Sequence, residues 1–405
     1  MPIPAYKSPR AASYDVVIVG GAVIGSSIAY WLTECEAFTG SVLVVERDSS
    51  YEFSSTALST SSIRQQYSNP INIRISQFGV EFIETFPTRM RKYYADEPAP
   101  ELGFREHGYL YCASHEGAAA ARARAALQRE HGAHTVFLEP GPLKDRFPWL
   151  NVDDLGGGCW GAKAEGWFDS VGLMNGFKRG ARHNGAEYID NQVMALGREK
   201  DRIASVTLKT GETVRCGTLV NAAGPRASVV AAMAGLSIPV EPRKRYSFVF
   251  ASRTPIPGRM PLVIDLTGAF VRPEHALFLA GGAPRADGPS ALDDFETRHE
   301  EFDDYIWPAL HNRIPSFDAL KVQRSWTGHY AYNTLDHNAI VGFHTTVRNF
   351  VFANGFSGHG LQQAPAVGRG VAELIVHGGY RTLDLSPLCY ERIERDEPFL
   401  EEAII

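Results

Sequence analysis

Asp15-Val16-Val17-Ile18-Val19-Gly20-Gly21-Ala22-Val23-Ile24-Gly25 is the stretch on which the rest of the chain turns. Its first five residues form an apolar run typical of a strand buried on both faces. Gly20 permits a tight turn, Gly25 lets a helix pack close to the strand, and Ser26 to Leu32 reads as that helix. The spacing is G-x-G-x-x-G with Ala22 in the middle position, where a backbone must let a pyrophosphate approach the helix N-terminus. Alanine adds one methyl group there, which weakens the motif without removing it. After a polar turn through Gly40, Val42-Leu43-Val44-Val45 is a second buried strand. It ends on Glu46, placed to accept hydrogen bonds from ribose hydroxyls. A glycine-rich turn in an unrelated α/β fold is the competing reading, and the strand–turn–helix–strand–acid order argues against it. The unit suits NAD and FAD alike.

The 405 residues allow two domains with sizeable cores. A net charge of −6 argues against nucleic acid as a partner. Cys35, Cys112, Cys159, Cys216 and Cys389 are scattered, with no CxxC pair and no zinc-finger spacing to histidine, so no metal site is expected. That usage fits reduced thiols, and a cytoplasmic location is expected. No apolar run is long enough to cross a bilayer, and Met1 to Tyr14 lacks the apolar core of a secretory signal.

Further along, His115 to His131 reads as an exposed helix. Gln192 to Ala195 and Ser205 to Leu208 read as strands of a small antiparallel sheet. Leu219 to Gly224 is a strand entering a tight turn, and Pro239 to Leu279 alternates strands with Pro- and Gly-rich turns. Ala291 to Leu310 reads as an acidic amphipathic helix. Phe350 to Ala353 is a buried strand running through Gly355-Phe356-Ser357-Gly358-His359-Gly360 into a helix that Gly378-Gly379 ends. The N-terminus of this second glycine-led helix suits the pyrimidine end of an isoalloxazine, and equally suits a plain helix cap.

Three separated motifs in order resemble the D-amino-acid oxidase/sarcosine oxidase superfamily. They are Val17 to Gly25 with Glu46-Arg47, Val220-Asn221-Ala222-Ala223-Gly224-Pro225, and Phe356 to Gly360. Within it, Ile63-Arg64-Gln65-Gln66, Glu165 to Asp169, Glu241 to Tyr246, Trp326 to Asp336 and Gly360 to Pro365 resemble a mitochondrial FAD-dependent oxidoreductase domain group and its bacterial relatives. The resemblance runs from Tyr14 to about Pro387. It implies an α/β (α+β overall) fold, with a Rossmann-like FAD-binding domain of glutathione-reductase type and a substrate domain on a mixed sheet. The expected FAD-binding domain spans 1–90, 150–235 and 325–405, and the substrate domain 91–149 and 236–324.

By the same resemblance the cofactor is FAD, and Gly20, Ala22, Val23, Ile24, Gly25, Glu46 and Arg47 hold its nucleotide end, with Val193 at the adenine. Ser55, Thr56, Ser61, Ser62 and Ile63 line the pyrophosphate and flavin. Ala222, Ala223, Gly224 and Gly328 belong to the same site, as do Gly355, Gly358, His359, Gly360, Leu361 and Gln362. The implied reaction is hydride transfer from a carbon next to nitrogen, on a secondary amine or N-substituted amino acid, giving an imine that water hydrolyses. The cofactor supplies that redox chemistry while the protein orients it.

Arg64 takes the position of the arginine that holds a substrate carboxylate in sarcosine oxidases, a task suited to a planar two-pronged donor. A surface arginine paired with a carboxylate is its bland alternative. Tyr246 and Tyr330 read as aromatic walls with polar tips, or as ordinary core tyrosines. His359 contributes through its backbone and borders the site, and Arg272 is a second anion candidate. The departures are Gln362 where sarcosine oxidases carry a lysine, and an apolar residue near Leu279 where a second lysine activates oxygen. Neither a cysteine near Gly328 nor a histidine near Leu58 is present for covalent flavin attachment, so non-covalent FAD is expected. These departures leave room for an acceptor other than oxygen, including a protein. The resemblance also carries a second reading, a flavoprotein acting mainly through a protein partner in assembly of a respiratory complex.

Overall fold

The computed structural model describes residues 6–95 and 97–402; the first five residues of the stretch read for targeting signals lie outside them. The opening motif folds as expected into strand Ser13–Val19, helix Val23–Glu34 and strand Val42–Glu46. Val16 to Val19 alternate between two hydrophobic clusters, one on each side of the sheet, because helices cover one face and the antiparallel strands 193–208 with helix Ala227–Met233 cover the other. Gly20 has φ +99°, and a Cβ on it would stand 2.4 Å from the Ala222 carbonyl oxygen, so no other residue fits this crossing of two backbones.

Five parallel strands form the heart of the first sheet, in the order Phe350–Asn354, Thr213–Asn221, Ser13–Val19, Val42–Glu46 and Glu187–Asp190. Strand Ile340–Phe343 adds an antiparallel edge. Chain order reverses beside Ser13–Val19, so the crevice at the carboxyl ends of the strands opens there, where open α/β sheets take ligands. Val193–Glu199 and Arg202–Leu208 do pair antiparallel, but they hang from Thr213–Asn221 as an appendage of this sheet.

The second sheet is mixed. Its order is Leu320–Asn333, Val240–Ser252, Leu277–Gly282, Phe270–Glu274, Leu262–Ile264, Tyr109–Ala113, Gly157–Gly161 and Thr135–Leu138. All neighbours are antiparallel except Leu262–Ile264 with Tyr109–Ala113. Gly157–Gly161 and Leu320–Asn333 therefore pair in this sheet, although the ranges 150–235 and 325–405 place the first and most of the second in the FAD unit. A ladder from Val240↔Asn333 to Ser252↔Leu320 holds the long strand there. We propose the two-unit division with these strands moved across.

One expected element is corrected. No helix begins at Ala291: residues 291–299 are irregular, Phe302–Ile306 is a π turn and Trp307–Arg313 is helical. The acids that suggested a solvated helix face are drawn instead to cations on other elements. Asp293 meets Arg226 at 2.5 Å and Arg47 at 3.8 Å, and Asp294 meets Lys244 at 2.5 Å. Phe295 stacks on His329 at 4.4 Å and packs on Phe53 at 4.9 Å. Among the described residues no helix is long and apolar enough to cross a membrane, and no cluster of metal-ligating side chains occurs.

Candidate active site

A cavity of about 720 Å³ runs from the carboxyl ends of the parallel strands to the inner face of the mixed sheet. One end is walled by Gly20, Ala22, Val23 and Ile24 at the first helix N-terminus, and by Glu46 and Arg47 at the tip of the second strand. Glu46 accepts hydrogen bonds from the Gly21 N–H at 2.8 Å and the Asp48 N–H at 2.9 Å. Burial pushes its carboxyl up, against the pull of those two donors. Val193, Ala222, Ala223 and Gly224 complete this end. In the middle, Ser55, Thr56 and Ser62 reach the wall; Ser55 donates to the His329 carbonyl at 2.6 Å, and Thr56 accepts from the Val23 N–H at 3.3 Å.

At the far end lies helix Gly360–His377, whose first residues Gly360, Leu361 and Gln362 line the cavity together with Gly358 and His359. A Cβ on Gly358 would stand 2.4 Å from the Tyr330 ring, so this loop lies flat against the mixed sheet. Gly328, Tyr330 and Tyr246 line the sheet side.

Four expected cofactor residues stand off the wall. Gly25 is a packing residue, because a Cβ there would fall 1.9 Å from the Gly20 carbonyl oxygen. Ser61 turns away to Ser170 at 2.9 Å, Ile63 is fully enclosed in the core, and Gly355 packs near Val240 and Asn333. Arg272 also leaves the site. It is bound to Glu274 at 2.5 Å and to the Thr60 carbonyl at 3.0 Å, and it lines a separate cavity with Leu279.

Arg64 is 2% exposed, which removes the surface-arginine alternative. Its guanidinium lies 4.1 Å over the Tyr67 ring, Nη1 donates to the Gln66 carbonyl at 2.7 Å, and Nη2 meets His359 Nε2 at 3.0 Å. Guanidinium nitrogens only donate, so that histidine nitrogen accepts. Gln362 holds the same residue from the backbone, its Oε1 accepting the Arg64 N–H at 3.0 Å while Nε2 donates to the Tyr67 hydroxyl. An amide here locks the arginine in place; a lysine would add a second cation.

Sequence reasoning missed Tyr67 and Tyr109. Tyr109 lines the cavity beside Arg64, and burial pushes its phenol up, so it stays an O–H donor. The Tyr109-Leu110-Tyr111 alternation marks a strand with two tyrosines on one face and was the available signal. Nothing in the local pattern marks Tyr67. Arg245 was also passed over; it is paired to Asp287 at 2.9 Å and lies 4.6 Å over the Tyr330 ring.

The family pattern described as FAD dependent oxidoreductase, the D-amino-acid oxidase type, matches residues 15–374. The chain belongs to that family. FAD is its cofactor, and the nucleotide cradle, the acid at Glu46 and the second helix N-terminus fit that group. FAD-dependent oxidoreductase domain-containing protein 1 of Xenopus laevis is 40% identical, over 96% of this chain and 85% of that protein. The mitochondrial sarcosine dehydrogenase of Mus musculus is 25% identical, covering 92% of this chain and 40% of its own length. Among solved structures, the L-proline dehydrogenase of P. horikoshii superposes with a TM-score of 0.82 at 26% identity, over 95% of this chain and 99% of that one.

Proposed function

We propose that this FAD-dependent oxidoreductase oxidises the C–N bond of a secondary amine or N-substituted amino acid of the sarcosine, dimethylglycine or iminodiacetate kind. The observation that carries this reading is Arg64, a buried cation on the cavity wall held by Tyr67, Gln66, His359 and Gln362. Bound FAD supplies the hydride acceptor. The residues of the chain do the positioning. Arg64 takes the carboxylate through charge-assisted hydrogen bonds, which fixes one end of the substrate. Tyr109, Tyr246 and Tyr330 wall the space beside it, and the start of helix Gly360–His377 stabilises negative charge at the far end. The product imine is hydrolysed by water. The sarcosine dehydrogenase relative supports this substrate class. An electron acceptor other than oxygen suits Gln362 and the withdrawal of Leu279 from the site.

The test is an anaerobic screen of N-substituted amino acids against the holoenzyme, following loss of flavin absorbance. Bleaching by a secondary amino acid is expected; no bleaching across N-methyl, N,N-dimethyl and N-carboxymethyl glycines and proline overturns the reading.

A further inference from the structure

A side chain that never reaches the cavity controls how Arg64 is presented. Ser62–Ile63 and Gly166–Trp167 form a two-stranded ladder, Ser62 opposite Trp167 and Ile63 opposite Gly166. It brings Glu165 beneath the segment that bears Arg64. Glu165 is 1% exposed. Its Oε1 accepts the backbone N–H of Gln65 at 2.7 Å, and its Oε2 accepts Gln66 Nε2 at 2.9 Å. Gln66 is in turn the residue whose carbonyl receives Arg64 Nη1. Behind it the wall is tight, since a Cβ on Gly161 would stand 1.9 Å from Glu165 Oε2. A carboxylate buried this deeply is costly unless donors hold it, and here the donors are the two residues next to Arg64.

We propose that Glu165 is a positioning residue for the anion site, fixing Gln65 and Gln66 so that the Arg64 guanidinium stays on the cavity wall. This rests on the reading of Arg64 as the carboxylate holder. Burial raises the Glu165 carboxyl to about 7, opposed by the hydrogen bonds from Gln66 and Gln65 and by the Arg64 charge. Its other titratable neighbours, Tyr109, Tyr111 and Cys159, are pushed far above neutrality by burial. The adjacent 105–108 segment meets it through backbone, the Gly108 N–H donating to the Glu165 carbonyl at 2.9 Å. There Glu106 accepts the Ala164 N–H and His107 Nδ1 faces the Met260 carbonyl. His359 touches Arg64 itself.

The Gln65 N–H is a fixed donor to Oε1, so a proton on the neutral acid sits on Oε2 and needs an acceptor. Gln66 Oε1 is buried without a hydrogen-bond partner among the described residues, and turning that amide supplies the acceptor at the cost of the longer 3.3 Å bond that Nε2 donates to the Tyr109 carbonyl. The link therefore survives protonation while the negative charge near Arg64 disappears. Anion affinity falls as pH rises through about 7, because the ionised acid offsets the field of the guanidinium.

The experiment titrates propionate into the FAD-loaded protein, following the flavin spectrum between about pH 6 and pH 9, on either side of this carboxyl. Wild type is expected to weaken across that range. Glu165→Gln keeps an acceptor for the Gln65 N–H, and is expected to bind as wild type does at low pH, with that weakening abolished. Glu165→Leu is expected to lose at least about tenfold in affinity at every pH while keeping FAD. A leucine variant with wild-type affinity, or a glutamine variant with the wild-type pH step, overturns the proposal. If Glu165→Leu does not retain FAD, Gln66→Met takes its place, with the same loss expected and wild-type affinity overturning. Unchanged propionate binding in Arg64→Ala instead removes the reading of Arg64 beneath it, whatever the Glu165 variants do.

Discussion

Arg64 and Glu46 sit at opposite ends of one cavity, and their environments predict different losses. Truncating one partner of a buried charge pair costs about 2–5 kcal/mol, so Arg64→Ala is expected to lose at least tenfold in affinity for carboxylate inhibitors. Arg64→Lys keeps charge without the fork and is expected to fall between. FAD content stays normal in both, which a flavin-to-protein absorbance ratio checks; a loss of FAD would make the arginine part of the cofactor site. Glu46→Gln removes one of two acceptor oxygens that already hold the Gly21 and Asp48 N–H groups. A hydrogen bond to a charged partner contributes about 1.5–3 kcal/mol, so the FAD dissociation constant is expected to rise roughly tenfold or more. Equilibrium dialysis of the apoprotein reads it, and an unchanged constant would separate Glu46 from the ribose.

At the scale of elements, Gly25 ties the first helix to its strand. Gly25→Ala pushes a methyl group into the Gly20 carbonyl, an overpacking that costs about 1–3 kcal/mol and is expected to shift the helix N-terminus proposed to meet the FAD pyrophosphate. A lower melting temperature together with poor FAD loading is expected; normal values for both would show that the turn relaxes. The ladder that places Glu165 has its own pH signature. A carboxyl raised from 4.5 to about 7 by burial contributes stability that is complete below about 4.5 and lost as pH rises through about 7. The difference is on the order of 3 kcal/mol. Denaturant melts are expected to show Glu165→Gln gaining on wild type between about pH 5 and pH 8; parallel curves would mean that the acid stays ionised throughout. The opening βαβ unit was legible because burial on two faces leaves a continuous apolar run, and the tight turn leaves glycines. The first half of the helix read from Ala291 to Leu310 was misread, because acids spaced along a solvated helix look the same as acids reaching separate cations; from residue 300 the chain is helical. Tyr67 and Glu165 were invisible as site residues, since the ladder joining their segments spans only two residues on each strand.

For the whole molecule, two sheets share one cavity. The three family motifs read from the sequence meet on its wall, while the sheet facing Arg64 had to be seen folded. Leu58 and Gly328 face each other across 3.2 Å, measured from a Cβ placed on the glycine, and both line the wall. No cysteine among the described residues lines it, and the two histidines that do are engaged elsewhere, His329 Nε2 with the Asp294 carbonyl at 2.8 Å and His359 Nε2 with Arg64 at 3.0 Å. FAD is therefore expected to be held without a covalent bond. Acid precipitation is expected to leave the yellow colour in the supernatant, and colour retained by the pellet would mean a covalent link.

Residues 292–296 draw a consequence for how the holoprotein is made and lost. Asp293 bridges Arg47 and Arg226 on the nucleotide unit, while Asp294 reaches Lys244 on the other sheet. Leu292, Asp293, Phe295 and Glu296 line the cavity, and the ion pairs fasten this strip to both of its banks. A strip tied to both banks is expected to slow exchange of the cofactor, so that its residence time follows the opening of these pairs. Asp293 is exposed, and ion pairs at exposed carboxylates are weak and screened by salt, whereas Lys244 is buried. On the Asp293 side the clasp is therefore expected to be kinetic, with ionic strength quickening cofactor exchange more than it alters how tightly the cofactor is finally held.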